Sequence, residues 1–279
     1  MEIVADAYGD EGAPPVVFLH GGGQTRHAWA ASARAVAAAG FRAIAMDHRG
    51  HGESGWSRDG DYSIDRFVDD LLGVLAQLGK RAALVGASLG GITALQAETR
   101  ASTSVSTAVV LVDVTPRLEI EGVRRVVDFM GARPGGFASL EEVAEVVAAY
   151  QPHRPRRDDI SGLKKNLRRG DDGRWYWHWD PALMQLWAPR RFDPDEGARI
   201  HAERLACAQR LRVPSLLVRG RMSDVVSEEG VREFLEAVPH AEFVDLESAG
   251  HMVAGDRNDA FTGAVVDFLE RRVRPTLGG

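Results

Sequence analysis

The nonapeptide ALVGASLGG, residues 83–91, places Ser88 between two glycines, straight after an apolar run and straight before a helical pattern. Gly86-Ala87-Ser88-Leu89-Gly90 has the form Gly-x-Ser-x-Gly. Its setting of buried strand, tight turn and helix is the one in which such a pentapeptide presents a nucleophile. The turn holds the serine in an unfavourable backbone geometry, and the flanking glycines remove clashes that larger side chains would make. The hydroxyl then projects at the head of a helix, where backbone N–H groups favour negative charge. Gly and Ser are also common loop residues. The reading therefore depends on what the rest of the chain supplies.

Outward from the pentapeptide, short apolar runs alternate with longer helical patterns. PPVVFLH (14–20), FRAIAMD (41–47), RAALVGA (81–87), STAVVLVD (106–113), PSLLVRG (214–220) and AEFVDLE (241–247) have strand length and β-rich composition. Between and after them, 25–40, 63–79, 89–98, 227–238 and 259–273 read as helices, the second with Ser63 as N-cap and Gly79 past its end. This alternation predicts an α/β fold: a mostly parallel central sheet, right-handed crossovers and helices on both faces. Residues 116–205 break the rhythm, offering helical patterns (121–132, 139–150) and a Pro/Arg-rich stretch but no convincing buried strand. We expect a helical lid there, laid over the carboxyl ends of the sheet, with 1–115 and 206–279 forming the core.

Composition narrows the function. A chain of 279 residues with 44% hydrophobic and 27% charged residues can bury a large core without disulfide or metal staples. The net charge of −6 lacks the basic footprint of a nucleic-acid binder. The single cysteine, Cys207, excludes an internal disulfide and Cys-cluster zinc sites, and reads as a small buried helix residue. The N-terminus has no signal-peptide pattern, and no stretch approaches 18 uninterrupted apolar residues, so we expect a cytoplasmic protein without a membrane span. Oligomeric state is not legible.

A serine hydroxyl needs a base to take its proton. His251, in ESAGHMVAGD just after the last strand, stands at the sheet end where open parallel sheets carry their sites. A carboxylate must fix that imidazole's tautomer. Asp224, in the loop after 214–220, is the first candidate, and Asp113, ending the strand 106–113, competes with it. HGGG (20–23) follows the first buried strand, so Gly22 and Gly23, with the N–H of Leu89, are candidate oxyanion donors. His48 and His51 in DHRGHGES (47–54) imitate a metal pair, but a structural turn with Arg49 or Glu53 paired internally fits better. No metal is expected.

HGGGQTRHAW, DHRGHGES, VGASLGG, the RGRMSD loop and AGHMVAGD, in that order, resemble the α/β-hydrolase superfamily over nearly the whole chain. The likeness is to its branch of small esterases, lactonases, epoxide hydrolases and cofactor-free haloperoxidases. The resemblance implies a lid in the region assigned from rhythm, the order Ser88, Asp224, His251, and acyl transfer without a cofactor. Epoxide hydrolases carry an aspartate where this chain has Ser88, which argues against that activity. The implied substrate is a small ester or lactone. Carbon–carbon bond hydrolysis and perhydrolysis use the same triad, and a ligand-binding protein with little turnover is the alternative of another class. Within the lid, Trp175, Trp177, His178 and Trp179 are candidate pocket residues, although tryptophans there also serve to cement a small lid. Lid charges nearly cancel, 15 basic against 14 acidic over 116–200, so its basic runs read as a solvated face.

Overall fold

Ala82–Ala87 forms a strand with every residue buried, because its small and branched side chains pack on both faces of a sheet. We label it β4 in a computed structural model that describes residues 1–150, 159–187, 193–247 and 259–274. Around it lie β1 (Ala5–Tyr8), β2 (Pro15–Leu19), β3 (Arg42–Met46), β5 (Ser106–Val112), β8 (Ser215–Gly220) and β9 (Glu242–Leu246). They form a seven-stranded sheet in the order β1-β3-β2-β4-β5-β8-β9. β1 is antiparallel to β3, pairing Ala5 with Met46, and the remaining pairings are parallel. The sequence reading places no strand at 5–8. This short edge strand alternates exposed and half-buried residues and carries little apolar signal.

Alternation along the strands divides the core in two. Ala82 and Leu84 join one cluster with Leu71 and Leu75 of α2 (Ile64–Leu78), Ile92 and Leu95 of α3 (Leu89–Arg100), Ala208 of α6 (Pro194–Arg210) and Phe234 of α7 (Glu228–Ala237). Ala83 and Val85 face the other way, toward Val36 of α1 (Ala30–Ala38) and Phe261, Val265 and Phe268 of α8 (Asp259–Arg272). Cys207 sits in α6 within the first cluster, as its composition suggested. Gly79 ends α2 at φ 63, but Ser63 at its start makes no side-chain cap bond, and its own N–H is held by Asp61.

Between β5 and β8 the chain forms α4 (Ile120–Met130), α5 (Leu140–Tyr150), two 3-10 helices (Ser161–Asn166 and Pro181–Trp187) and an antiparallel hairpin of β6 (Leu167–Arg169) and β7 (Trp175–Trp177). An all-helical reading of this region is corrected by the hairpin. Its strands are three residues each, and Arg168 and Arg169 are exposed, so no buried run announces them. The Gly170-Asp171-Asp172-Gly173 turn between two short runs was the available signal. α6 also runs through residue 205 to Arg210, so the expected boundary there falls inside a helix. A third cluster joins this region to the sheet-bearing part, with Met130, Phe137, Val143, Trp177, Trp179 and Leu183 packing against Tyr62, Phe67 and Leu89.

Candidate active site

Ser88 occupies the turn between β4 and α3 at φ 47 and ψ −113, a conformation that L residues rarely adopt. Its N–H donates to Val112 O at 3.1 Å, which ties the turn to β5. The glycines around it are steric requirements. A Cβ on Gly86 would come 2.4 Å from the Gly90 carbonyl carbon, and one on Gly90 would come 2.3 Å from Leu19 O. The turn is therefore squeezed between its own helix and β2, and the serine stays half-buried at the helix head.

The HGGG turn lies beside it, since a Cβ on Gly21 would be 3.4 Å from Ser88 Cβ. Gly21 N–H donates to Gln24 Oε1 at 2.9 Å, and Gly23 N–H donates to His51 Nε2 at 3.1 Å. Gly23 is thus corrected as an oxyanion donor, because its hydrogen is spent on an imidazole. Gly22 is half-buried in the turn, and Leu89 is the first residue of α3.

Four buried histidines gather behind this turn. His20 and His48 have ring centroids 4.7 Å apart, His20 and His51 5.0 Å, and His51 and His178 5.9 Å. Burial first, then neighbouring imidazoles, lowers His48 and His178 to about 3, and burial lowers His51 to about 4. His20 is also held well below the usual range by burial and by His48 and His51. All four are neutral at pH 7. Both nitrogens of His51 face backbone, one toward Gly23 N–H and the other toward Arg49 O at 3.0 Å, so it offers no lone pair to a metal. Among the described residues no group of three or more His, Cys, Asp or Glu could hold a metal ion. The loop 47–54 is the structural turn expected: Arg49 grips Asp70 with two bonds of 2.6 and 2.7 Å, and Arg26 joins Glu53 to Asp47.

The two candidate acids differ sharply. Asp224 has a side chain 35% exposed and pairs with Arg125 of α4 at 2.5 Å. Asp113 is buried at the carboxyl end of β5, with φ 49. Its Oδ1 accepts from Gly220 N–H at 3.1 Å and its Oδ2 from Ser223 Oγ at 2.6 Å, while its own N–H donates to Val218 O at 2.7 Å. Sequence reasoning ranks Asp224 first by loop position, and the choice turns on where each carboxylate is held. His251 lies outside the described residues.

The aromatic candidates separate as well. Trp177 and Trp179 are buried and stacked at 4.8 Å, and a Cβ on Gly23 would lie 3.5 Å from Trp179 and 3.2 Å from Met130. Trp179 and Met130 therefore overhang the glycine turn. Met130 escapes sequence reasoning because nothing in helical periodicity says which partner a buried methionine meets. Trp175 instead bridges to Phe137 and lies under Arg169, a packing role. His178 uses its ring on backbone groups of Gly52 and Gly23.

Strand order, parallel crossovers and the strained serine together define the class: this is an α/β hydrolase. The chain belongs to the alpha/beta hydrolase fold family, whose profile matches residues 14–257. It is 34% identical over 269 residues to the esterase Rv0045c of Mycobacterium tuberculosis, covering 93% of this chain and 84% of that protein. It is 30% identical over 271 residues to the non-heme chloroperoxidase CPO-A1 of Kitasatospora aureofaciens, covering 92% of each. The solved structure of the M. tuberculosis esterase superposes with a TM-score of 0.74 at 33% identity, over 96% of this chain and 88% of that one. No helix among the described residues is long and apolar enough to cross a membrane.

Proposed function

We propose that this hydrolase cleaves small carboxylic esters or lactones through an acyl-enzyme. Ser88 Oγ attacks the carbonyl carbon while His251 takes its proton, and the N–H groups of Gly22 and Leu89 hold the oxyanion. His251 then protonates the leaving group and activates the water that releases the acid. Residues 116–205 act as the lid, with Trp179 and Met130 at the acyl pocket. The observation that carries this reading is the left-handed Ser88 at the head of α3, pressed against the glycine turn. The likeness to a mycobacterial esterase supports an ester as substrate.

For the acid we favour Asp113 over Asp224. An acid that orients an imidazole must itself be oriented and shielded from water. Asp113 is buried at the end of β5, and Gly220 N–H and Ser223 Oγ orient its carboxylate. Asp224 spends its charge on Arg125 near solvent.

Perhydrolysis is a second reading, favoured by the likeness to a non-heme chloroperoxidase. It needs only peroxide in place of water at the acyl-enzyme. The first experiment is intact mass after exposure to a small fluorophosphonate, with Ser88→Ala alongside. A single adduct on wild type and none on the variant is the expected result. No adduct on folded wild type would sink the serine reading and favour a ligand-binding protein.

A further inference from the structure

We infer that His178 is a positioning residue through which the β6–β7 hairpin sets the oxyanion turn. The inference rests on the reading of Gly22 N–H as an oxyanion donor. The direction of that N–H depends on peptide planes that cannot twist, since each N–H points opposite the carbonyl of the same plane. The plane holding Gly22 N–H also holds Gly21 O, which accepts from His20 Nδ1 at 2.8 Å and from Gln24 N–H at 3.1 Å. The next plane holds Gly23 N–H, which donates to His51 Nε2. The third holds Gly23 O, which faces His178 Nε2 at 3.4 Å. Three successive planes are thus each tethered by a different imidazole.

The tautomers are fixed by the other nitrogens. His178 Nδ1 accepts from Gly52 N–H at 2.8 Å, so its hydrogen is on Nε2, aimed at Gly23 O. His51 Nδ1 faces Arg49 O, so its Nε2 is free to accept. His20 and His51 belong to the sheet-bearing part of the molecule, His51 lying 28 residues from Gly23. His178 does not. It sits just beyond β7, 155 residues from Gly23, and its strand end is pinned to the same loop by Asp180 N–H to Gly50 O at 2.9 Å and by Tyr62 O–H to Asp180 Oδ2 at 2.5 Å. Seating of the hairpin therefore completes the clamp, and a displaced hairpin leaves Gly23 with one tether fewer. With the hairpin seated, His178 is 5% exposed, so its contact with Gly23 is shielded from solvent.

The test measures kcat and KM on p-nitrophenyl acetate, per active site counted by fluorophosphonate titration, for wild type, His178→Phe, His178→Asn and His178→Gln. Phe fills the space without hydrogen bonds. Asn retains an acceptor for Gly52, and the amide of Gln reaches toward Gly23. We expect kcat per titrated site to fall about tenfold or more in His178→Phe, less than the loss of a whole oxyanion donor. KM should stay within about twofold, and His178→Gln should recover part of the loss. A purely structural role would lower the melting temperature and the number of titrated sites while leaving kcat per site unchanged, and that result overturns the inference. If His178→Phe does not fold, His178→Asn carries the same comparison. Wild-type protein that takes no label fails differently: the serine reading itself falls, and this inference with it.

Discussion

At Ser88 and Asp113 the backbone stores strain where chemistry is proposed. Among the described non-glycine residues only these two and Arg133 have positive φ, at 47, 49 and 55. Such conformations cost about 1–3 kcal/mol each and persist where surrounding structure enforces them. Ser88 and Asp113 close adjacent strands, and Ser88 N–H is bonded to the residue before Asp113. Replacing Asp113 by Asn should therefore lower kcat by about 10⁴-fold, the scale of such a change in a serine protease triad. Asp224→Asn, which loosens an exposed ion pair worth about 1 kcal/mol or less, should lower it by less than about tenfold. Steady-state ester hydrolysis by the two variants decides, and a large loss in Asp224→Asn alone restores that residue as the acid.

Two elements hold the site in place, and each has a single weak point. α3 approaches β2 so closely at Gly90 that a methyl group there meets a backbone carbonyl rather than a flexible side chain. Gly90→Ala should destabilise the fold by about 1–3 kcal/mol or more and abolish fluorophosphonate labelling, both read on the purified variant. The β6–β7 hairpin is pinned at Asp180. Tyr62→Phe leaves one Asp180 oxygen without its hydroxyl donor and Ser57 N–H without its acceptor. The expected cost is about 1–3 kcal/mol, seen as a lower urea midpoint at unchanged slope. A midpoint equal to wild type would mean that the Tyr62–Asp180 bond adds nothing to the seating of the hairpin.

Across the whole molecule the buried histidines couple stability to pH. In the unfolded chain a histidine takes up a proton near pH 6.5, whereas His51 does so in the native protein only at about 4 and His48 and His178 at about 3. Between these values the unfolded state holds more protons, so stability falls as pH drops. It is fully present above about pH 6.5, and each group removes about 1.4 kcal/mol per pH unit below that until its native value is reached. Urea midpoints should decline from pH 7 through 6 to 5, more steeply at each step. A flat profile over that range would mean that the rings titrate in the native protein as they do in the unfolded chain.

The sequence by itself determined the parallel strands of the sheet, the serine turn and the glycine turn, because each is written in neighbouring residues. Buried strands are continuous apolar runs, and Gly86 and Gly90 flank Ser88 within one pentapeptide. It also marked His48 and His51 as part of a structural turn. Other features depend on contacts distant in sequence and were decided only by the tertiary structure. Which aspartate is sheltered depends on Arg125 reaching Asp224 and on Ser223 reaching Asp113 across 110 positions. His51 takes the Gly23 N–H of the glycine turn across 28 positions, and His178 reaches Gly52 across 126. Local pattern records what a residue is and which way its element faces. The partner that uses a given lone pair or N–H is chosen when the chain closes on itself, and at this site that choice divides orienting groups from reacting ones.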